Sequence, residues 1–139
     1  MQQFNDKFTC KTKPKSLNNI SGEILDCFTK SKVKNGLCTI YIKHTSASLI
    51  IQENADPDVL IDIENFFNKL VPQSIDLYKH RTEGPDDMPA HIRSLLTCTS
   101  LSIPIQESNL VLGIWQGIFL FEHRDQSFER EIIVNIIGE

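Results

Sequence analysis

TSLSIPIQESNLVLGIWQGIFLFE, residues Thr99–Glu122, decides how this chain is expected to fold. Thr99–Ile105 alternates apolar with small polar residues, the period of a strand with one face on a core. Gln106–Asn109 supplies hairpin chemistry, and Leu110–Glu122 stays apolar long enough to read as one extended strand. Gly113 and Gly117 inside it point to a bulge, tight curvature or a close backbone approach. Strand parity places Gly113, Trp115, Gly117, Phe119 and Phe121 on one side, and Leu112, Ile114, Gln116, Ile118 and Leu120 on the other. Gln116 is then an amide in an aliphatic row, a structural group or a ligand-binding one according to what it faces. Phe128–Ile137 reads as a further strand.

Upstream, Gln2–Lys11 is a strand candidate anchored by Phe4 and Phe8, and Ser21–Lys30 a short helix followed by an Asn35-Gly36 turn. Leu37–Lys43 is a strand whose parity aligns His44 with Ile40 and Ile42. Asp56 and Pro57 open the clearest helix, with Val59, Leu60, Ile63, Phe66, Phe67 and Leu70 on one stripe and Pro72 as its stop. Gln73–Pro89 turns polar and reads as a long loop, the kind that often carries function, with a short helix from Pro89 to Leu96. The expected fold is α+β: a curved, largely antiparallel, sandwich- or barrel-like sheet with two or three helices in one domain.

The chain has 139 residues with 14 basic and 18 acidic side chains, a net charge of -4. That balance gives no global drive toward nucleic acid or an anionic membrane, and no apolar run approaches the roughly 20 residues of a membrane span. Met1–Lys11 has no secretory core, so a cytoplasmic location is expected. Cys10, Cys27, Cys38 and Cys98 form no CxxC pair and read as small hydrophobes.

Four histidines are the first candidates for chemistry. His44 ends a strand, His80 and His91 flank the acidic Gly84–Asp87 run, and His123 follows the long apolar stretch. Neutral imidazoles bind divalent ions and can leave coordination positions open, although none of these four has a recognised ligand spacing. Asp86 and Asp87 suit either the outer shell of such a site, a Mg²⁺ site, or a helix start ahead of Pro89. Thr45, Ser46 and Ser48 gather hydroxyls that could donate to a phosphate or end a strand. No GxSxG elbow supports a serine nucleophile. Glu53 and Asn54 could coordinate a ligand or organise the turn before Asp56.

HTSASL at His44–Leu49, ENADPDV at Glu53–Val59, GPDDMPAHI at Gly84–Ile92 and LGIWQGIFLFEHR at Leu112–Arg124 resemble the YjbQ-like family. Ser100, Ile103, Ile105, Gly113, Trp115 and Gln116 fit its signature; Ser108 stands where glycine is usual and Ile114 where threonine is usual. The resemblance implies a single YjbQ-like domain over residues 1–139. It further implies a homotrimer with pockets near subunit boundaries, and a divalent metal on His44, His80 and His91, with zinc suited to the histidines and Mg²⁺ to diphosphate chemistry. Members are described as secondary thiamine-phosphate synthases or left without function. The implied activity joins a pyrimidine-methyl diphosphate to a thiazole phosphate, with the physiological substrate open. His44, Glu53, Asn54, Asp87 and Gln116 are then the catalytic candidates. Thr45, Ser46, Ser48, Arg93, Trp115 and Arg130 are the substrate-binding ones. A non-catalytic trimer that binds metal and a small phosphorylated metabolite is the alternative.

Overall fold

The computed structural model describes residues 1–139. Strands β1 (Gln2–Lys11), β2 (Leu17–Asn19), β3 (Gly36–Ile42) and β4 (Ala47–Glu53) fill the first part of the chain, with helix α1 (Ser21–Ser31) between β2 and β3. Helix α2 (Pro57–Leu70), a 3₁₀ turn at Ile75–Leu77 and helix α3 (Asp87–Leu96) follow. Strands β5 (Ser100–Gln106), β6 (Asn109–Leu110), β7 (Gln116–Glu122) and β8 (Glu129–Gly138) complete it. Every strand pairing is antiparallel: one sheet runs β1-β8-β3-β5-β6 and a smaller one β2-β7-β4. This is the expected α+β, largely antiparallel architecture.

The two sheets share one apolar core. Ile40, Ile103, Ile132 and Val134 come from the larger sheet, Leu49, Ile118 and Leu120 from the smaller, and Ile24 and Phe28 from α1. Inward residues alternate along β3 and β8, as a half-buried sheet demands. Cys27 and Cys38 are buried among them as free thiols, and burial pushes both up to about 11, so they act as hydrophobes. No helix is long and apolar enough to cross a membrane.

Four expectations change. Leu110–Glu122 is not one strand, because residues 111–115 leave the sheet and the Gln116 side chain closes the excursion by accepting the Gly113 amide at 2.7 Å. Gln116 is exposed rather than set in a buried aliphatic row. Strand β4 and the short β2 are additions; Ala47–Glu53 carries the apolar run Leu49-Ile50-Ile51 directly after the hydroxyls of Thr45, Ser46 and Ser48. Helix α3 starts at Asp87, two residues before Pro89, since proline in a first turn needs no amide partner.

Helix α2 is capped as expected. Asp56 Oδ1 accepts the Asp58 amide at 2.9 Å, while Glu53 Oε2 accepts the amides of Ala55 and Asp56. None of its residues is fully buried, and its attachment is narrow. Phe67 meets Phe121 edge to face at 5.5 Å, and Glu64 and Asn68 hold the buried Arg93 guanidinium at 3.0 and 2.8 Å.

The β5–β6 hairpin turns through Glu107 and Ser108, with φ of 48° and 63°. This left-handed backbone costs a side-chain-bearing residue roughly 1–2 kcal/mol, and it explains why glycine suits position 108. Ser108→Gly keeps the amide bond to the Lys34 carbonyl. It is expected to raise unfolding free energy by about 0.5–1 kcal/mol, read from the urea midpoint at unchanged m-value; an equal or lower midpoint counts against strain at this turn.

Candidate metal centre

His80 sits on the loop ahead of α3, and Asp87 and His91 are four residues apart on one face of α3. One ligand atom from each of these three residues lies within 4.8 Å of the others. His80 Nε2 is 2.6 Å from Asp87 Oδ2, and His91 Nε2 is 3.1 Å from the same oxygen. Glu83 Oε2 approaches His80 Nε2 at 3.1 Å from the solvent side.

Arg124 fixes this corner. Its NH2 donates to the Glu83 carbonyl at 2.9 Å, its Nε to Asp86 Oδ2 at 2.8 Å, and its NH1 lies 2.8 Å from Asp87 Oδ1. The loop thus turns through Gly84, at φ 105°, and is pinned where α3 begins. Asp86 is fully engaged, because its Oδ2 also accepts the Asp125 amide at 2.9 Å. Burial works to raise the Asp87 carboxyl pKa, but the His80 hydrogen bond and the Arg124 charge hold it below the usual range. His80 is raised above its ordinary value, chiefly by the Asp87 hydrogen bond.

The donor set fits a cation. His91 Nδ1 lies 2.9 Å from the Thr45 carbonyl, which can only accept, so the ring donates there. Its Nε2 faces the Asp87 carboxylate at 3.1 Å, a contact made favourable by a proton on Nε2 or by a cation that takes the proton's place. Asp87 Oδ1 is occupied by Arg124, which leaves Oδ2 for such a cation. Two imidazoles and one carboxylate, with His91 and Asp87 oriented from behind, form a donor set used by zinc and by ferrous iron.

The expected three-imidazole site does not form within the chain. His44 lies outside the cluster: its Nε2 accepts the Glu131 amide at 2.8 Å, because β3 and β8 are neighbours and the inward parity of His44 brings it to that backbone. Burial, and after it the Arg130 charge, holds its pKa below the ordinary value. Asp87, read as catalytic, completes the cluster with His80 and His91 instead.

The other candidates divide among distinct places. Ser48 is fully buried, with Oγ 2.8 Å from His123 Nε2 and 2.6 Å from Thr97 Oγ1. Ser46 Oγ accepts from Arg130 NH2 at 3.1 Å, and Thr45 lends its backbone carbonyl to His91. Arg93 and Arg130 are buried in pairs with Glu64 and Glu122, and Arg130 keeps only NH1 outside its pair. Glu53, Asn54, Trp115 and Gln116 cluster at the far end of the β4–β7 ladder, where Glu53 pairs Gln116 and Asn54 Nδ2 donates to the Ile114 carbonyl at 3.3 Å. Six residues of strand separate them from Ala47, roughly 20 Å, so within one chain they do not reach the histidine cluster. Sequence reasoning passed over Arg124 as the clamp; its sequence signal is a single arginine after a strand, with nothing local to mark its partners.

A small antiparallel α+β domain with a His-Asp-His cluster at one end of its sheets is the class these features define. The family model described as UPF0047 protein YjbQ-like matches residues 6–139, and the chain belongs to this family. It is 54% identical to a UPF0047 protein of Synechocystis over 99% of this chain and 94% of that one. It is 39% identical to the UPF0047 protein YjbQ of Escherichia coli O157:H7, over 98% and 99% respectively. A crystal structure of an uncharacterised family member from Clostridium acetobutylicum is 35% identical, covers 95% of this chain and 99% of its own, and superposes with a TM-score of 0.87. A protein of unknown function from Sulfolobus solfataricus gives 0.89 at 28% identity, over 99% of both chains. The expectation of thiamine-phosphate synthesis is corrected by these findings: relatives this similar are described as UPF0047 proteins or as proteins of unknown function, with no synthase among them.

His123 gives this corner a pH signature. Burial first, then the charges of Arg93 and Arg130, holds it down to about 3 against an ordinary 6.5. Between those values the unfolded chain binds the extra proton, so the stability His123 contributes is complete above about pH 6.5 and is lost as pH falls toward 3. His123→Gln is expected to flatten the loss by up to about 1.4 kcal/mol per pH unit, measured by urea unfolding at a series of pH values. An unchanged slope would show that another group carries it.

Proposed function

We propose that this protein binds one divalent cation through His80 Nε2, Asp87 Oδ2 and His91 Nε2, and is a metal-dependent enzyme acting on a small phosphorylated metabolite. The observation that carries this reading is the convergence of His80 Nε2, Asp87 Oδ2 and His91 Nε2 within 4.8 Å of one another, with Asp87 held by Arg124 and His91 by the Thr45 carbonyl. Bound there, a cation such as Zn²⁺ would polarise a phosphoryl or carbonyl oxygen and lower the pKa of a water.

The chain's own residues supply orientation and proton balance. The Thr45 carbonyl fixes the His91 tautomer, and Arg124 prevents Asp87 from rotating. His80 gives up its Nε2 proton when the cation binds, so affinity falls as pH falls. Glu83, 3.1 Å from His80 Nε2, is placed to receive that proton.

Untagged protein is expected to retain about one equivalent of metal by elemental analysis. Zn²⁺ titration by calorimetry should show His80→Ala and His91→Ala each weakening binding by at least about 100-fold, with His44→Ala unchanged. Equal metal content in wild type and His91→Ala would overturn the site. Turnover of a phosphorylated-metabolite panel by metal-loaded protein and not by the stripped form tests the enzyme reading.

The reading includes self-association as a homotrimer, supported by large apolar side chains left open to solvent. Ile114 is 80% exposed, Trp115 60% and Phe66 60%, on the 111–115 turn and on α2. Light scattering after size exclusion is expected to give three chains per particle, and Ile114→Asp with Trp115→Ala to shift the mass toward one. A monomeric wild type would remove the trimer.

A further inference from the structure

A groove of about 330 Å³ begins at His91 and continues past Thr45 and His44 along Met88, Ile92 and Leu95. Its volume suits a small molecule. Behind its His44 end, at Arg130, which is not itself a lining residue, two donors meet with no acceptor between them.

Both ring nitrogens of His44 face N–H groups: Nε2 lies 2.8 Å from the Glu131 amide and Nδ1 3.5 Å from Arg130 NH1. A neutral imidazole offers one lone pair, so it can accept from only one of them. The shorter bond takes it, and the proton sits on Nδ1. Burial and the Arg130 charge keep the ring neutral.

Arg130 is itself 5% exposed. Its Nε and NH2 are committed to Glu122, at 2.8 and 2.5 Å, with Ser46 sharing NH2. NH1 reaches only the protonated face of His44. Buried donors in this state cost free energy until an acceptor arrives.

We propose that His44 Nδ1–H and Arg130 NH1 form an oxyanion-binding notch, so that the groove takes a small molecule whose phosphate or carboxylate sits at this notch and whose apolar body lies on Met88, Ile92 and Leu95, pointing toward His91. Hydroxyls of Thr45 and Thr99, which line the same groove, add donors. The orientation of that molecule rests on the cation reading above. The notch does not, because neither of its residues belongs to the His80-Asp87-His91 cluster.

The test is made on chelator-treated, metal-free, ¹⁵N-labelled protein, so that failure here and failure of the cation site are separable. Long-range ¹H–¹⁵N spectra are expected to show His44 as the Nδ1–H tautomer. Titrations with inorganic phosphate and, separately, with acetate should move its ring signals saturably in at least one arm, and the responding arm names the oxyanion. An Nε2–H tautomer, or ring signals unmoved by both anions, overturns the proposal. His44→Ala is expected to weaken binding of that anion at least 10-fold. His44→Gln, whose amide oxygen can accept the Glu131 amide while its NH₂ donates toward the notch, should stay within about threefold of wild type. Equal loss in both variants overturns the donor role; if His44→Ala fails to fold, the wild-type spectra and His44→Gln still decide.

Discussion

A carboxylate with no exposed surface, Glu122, ties the two sheets together at the end where the chemistry is proposed to lie. It stands at the close of β7 in the smaller sheet and accepts two bonds from Arg130 of β8 in the larger one, a third from the Thr12 hydroxyl and a fourth from the Arg124 amide. A charge this deep is tolerable only when its lone pairs are all met, and the chain meets them from three separate segments. Much nearby follows from that demand. Arg130 must lie flat under Phe128, at 4.8 Å from the ring centroid, which sets the distance to His44. Arg124, two residues beyond Glu122, leaves the sheet in the direction of the acidic loop. His123 is folded inward between them against Phe121.

The same layout separates two kinds of polar group that sequence alone presents as equals. At one end of the β4–β7 ladder, side chains are spent on the backbone: Glu53 caps amides, Asn54 binds a carbonyl and Gln116 closes a turn. At the other end, side chains face one another rather than the backbone, His80, Asp87 and His91 in one cluster and the donors of His44 and Arg130 in another. Unbalanced contacts held by rigid elements are where a protein's own bonding is incomplete, and that distinguishes this end from the saturated one.

Much of the fold was legible because local rules agreed with tertiary need. Asp56, Pro57 and the apolar stripe marked α2 to the residue, and the alternation of β3 placed His44 on the inner face with Ile40 and Ile42. Where the local pattern could be satisfied in two ways it misled. Leu110–Glu122 is apolar enough for one strand, but Gly113 and the Gln116 amide favour a turn, and the exposed Ile114 and Trp115 carry no alternation to betray it. Strand β4 was obscured by the hydroxyls of Thr45, Ser46 and Ser48 at its start, although Leu49-Ile50-Ile51 is a short strand signal. For the site, the i,i+4 spacing of Asp87 and His91 was in the sequence, whereas the fate of His44 depended on which strand lay beside it, a long-range pairing no local rule encodes.

Helix α2 shows what a narrow attachment means for the behaviour of the whole chain. With one aromatic edge contact and one guanidinium holding it, while the sheets beneath keep their own core, it is the segment whose detachment disturbs least else. In a solitary chain its amides would exchange with solvent long before those of β3 or β8, as a subglobal opening distinct from unfolding. Any partner surface that covers Phe66 and Ile61 would close that opening, so protection of this helix would rise with protein concentration and report on association directly.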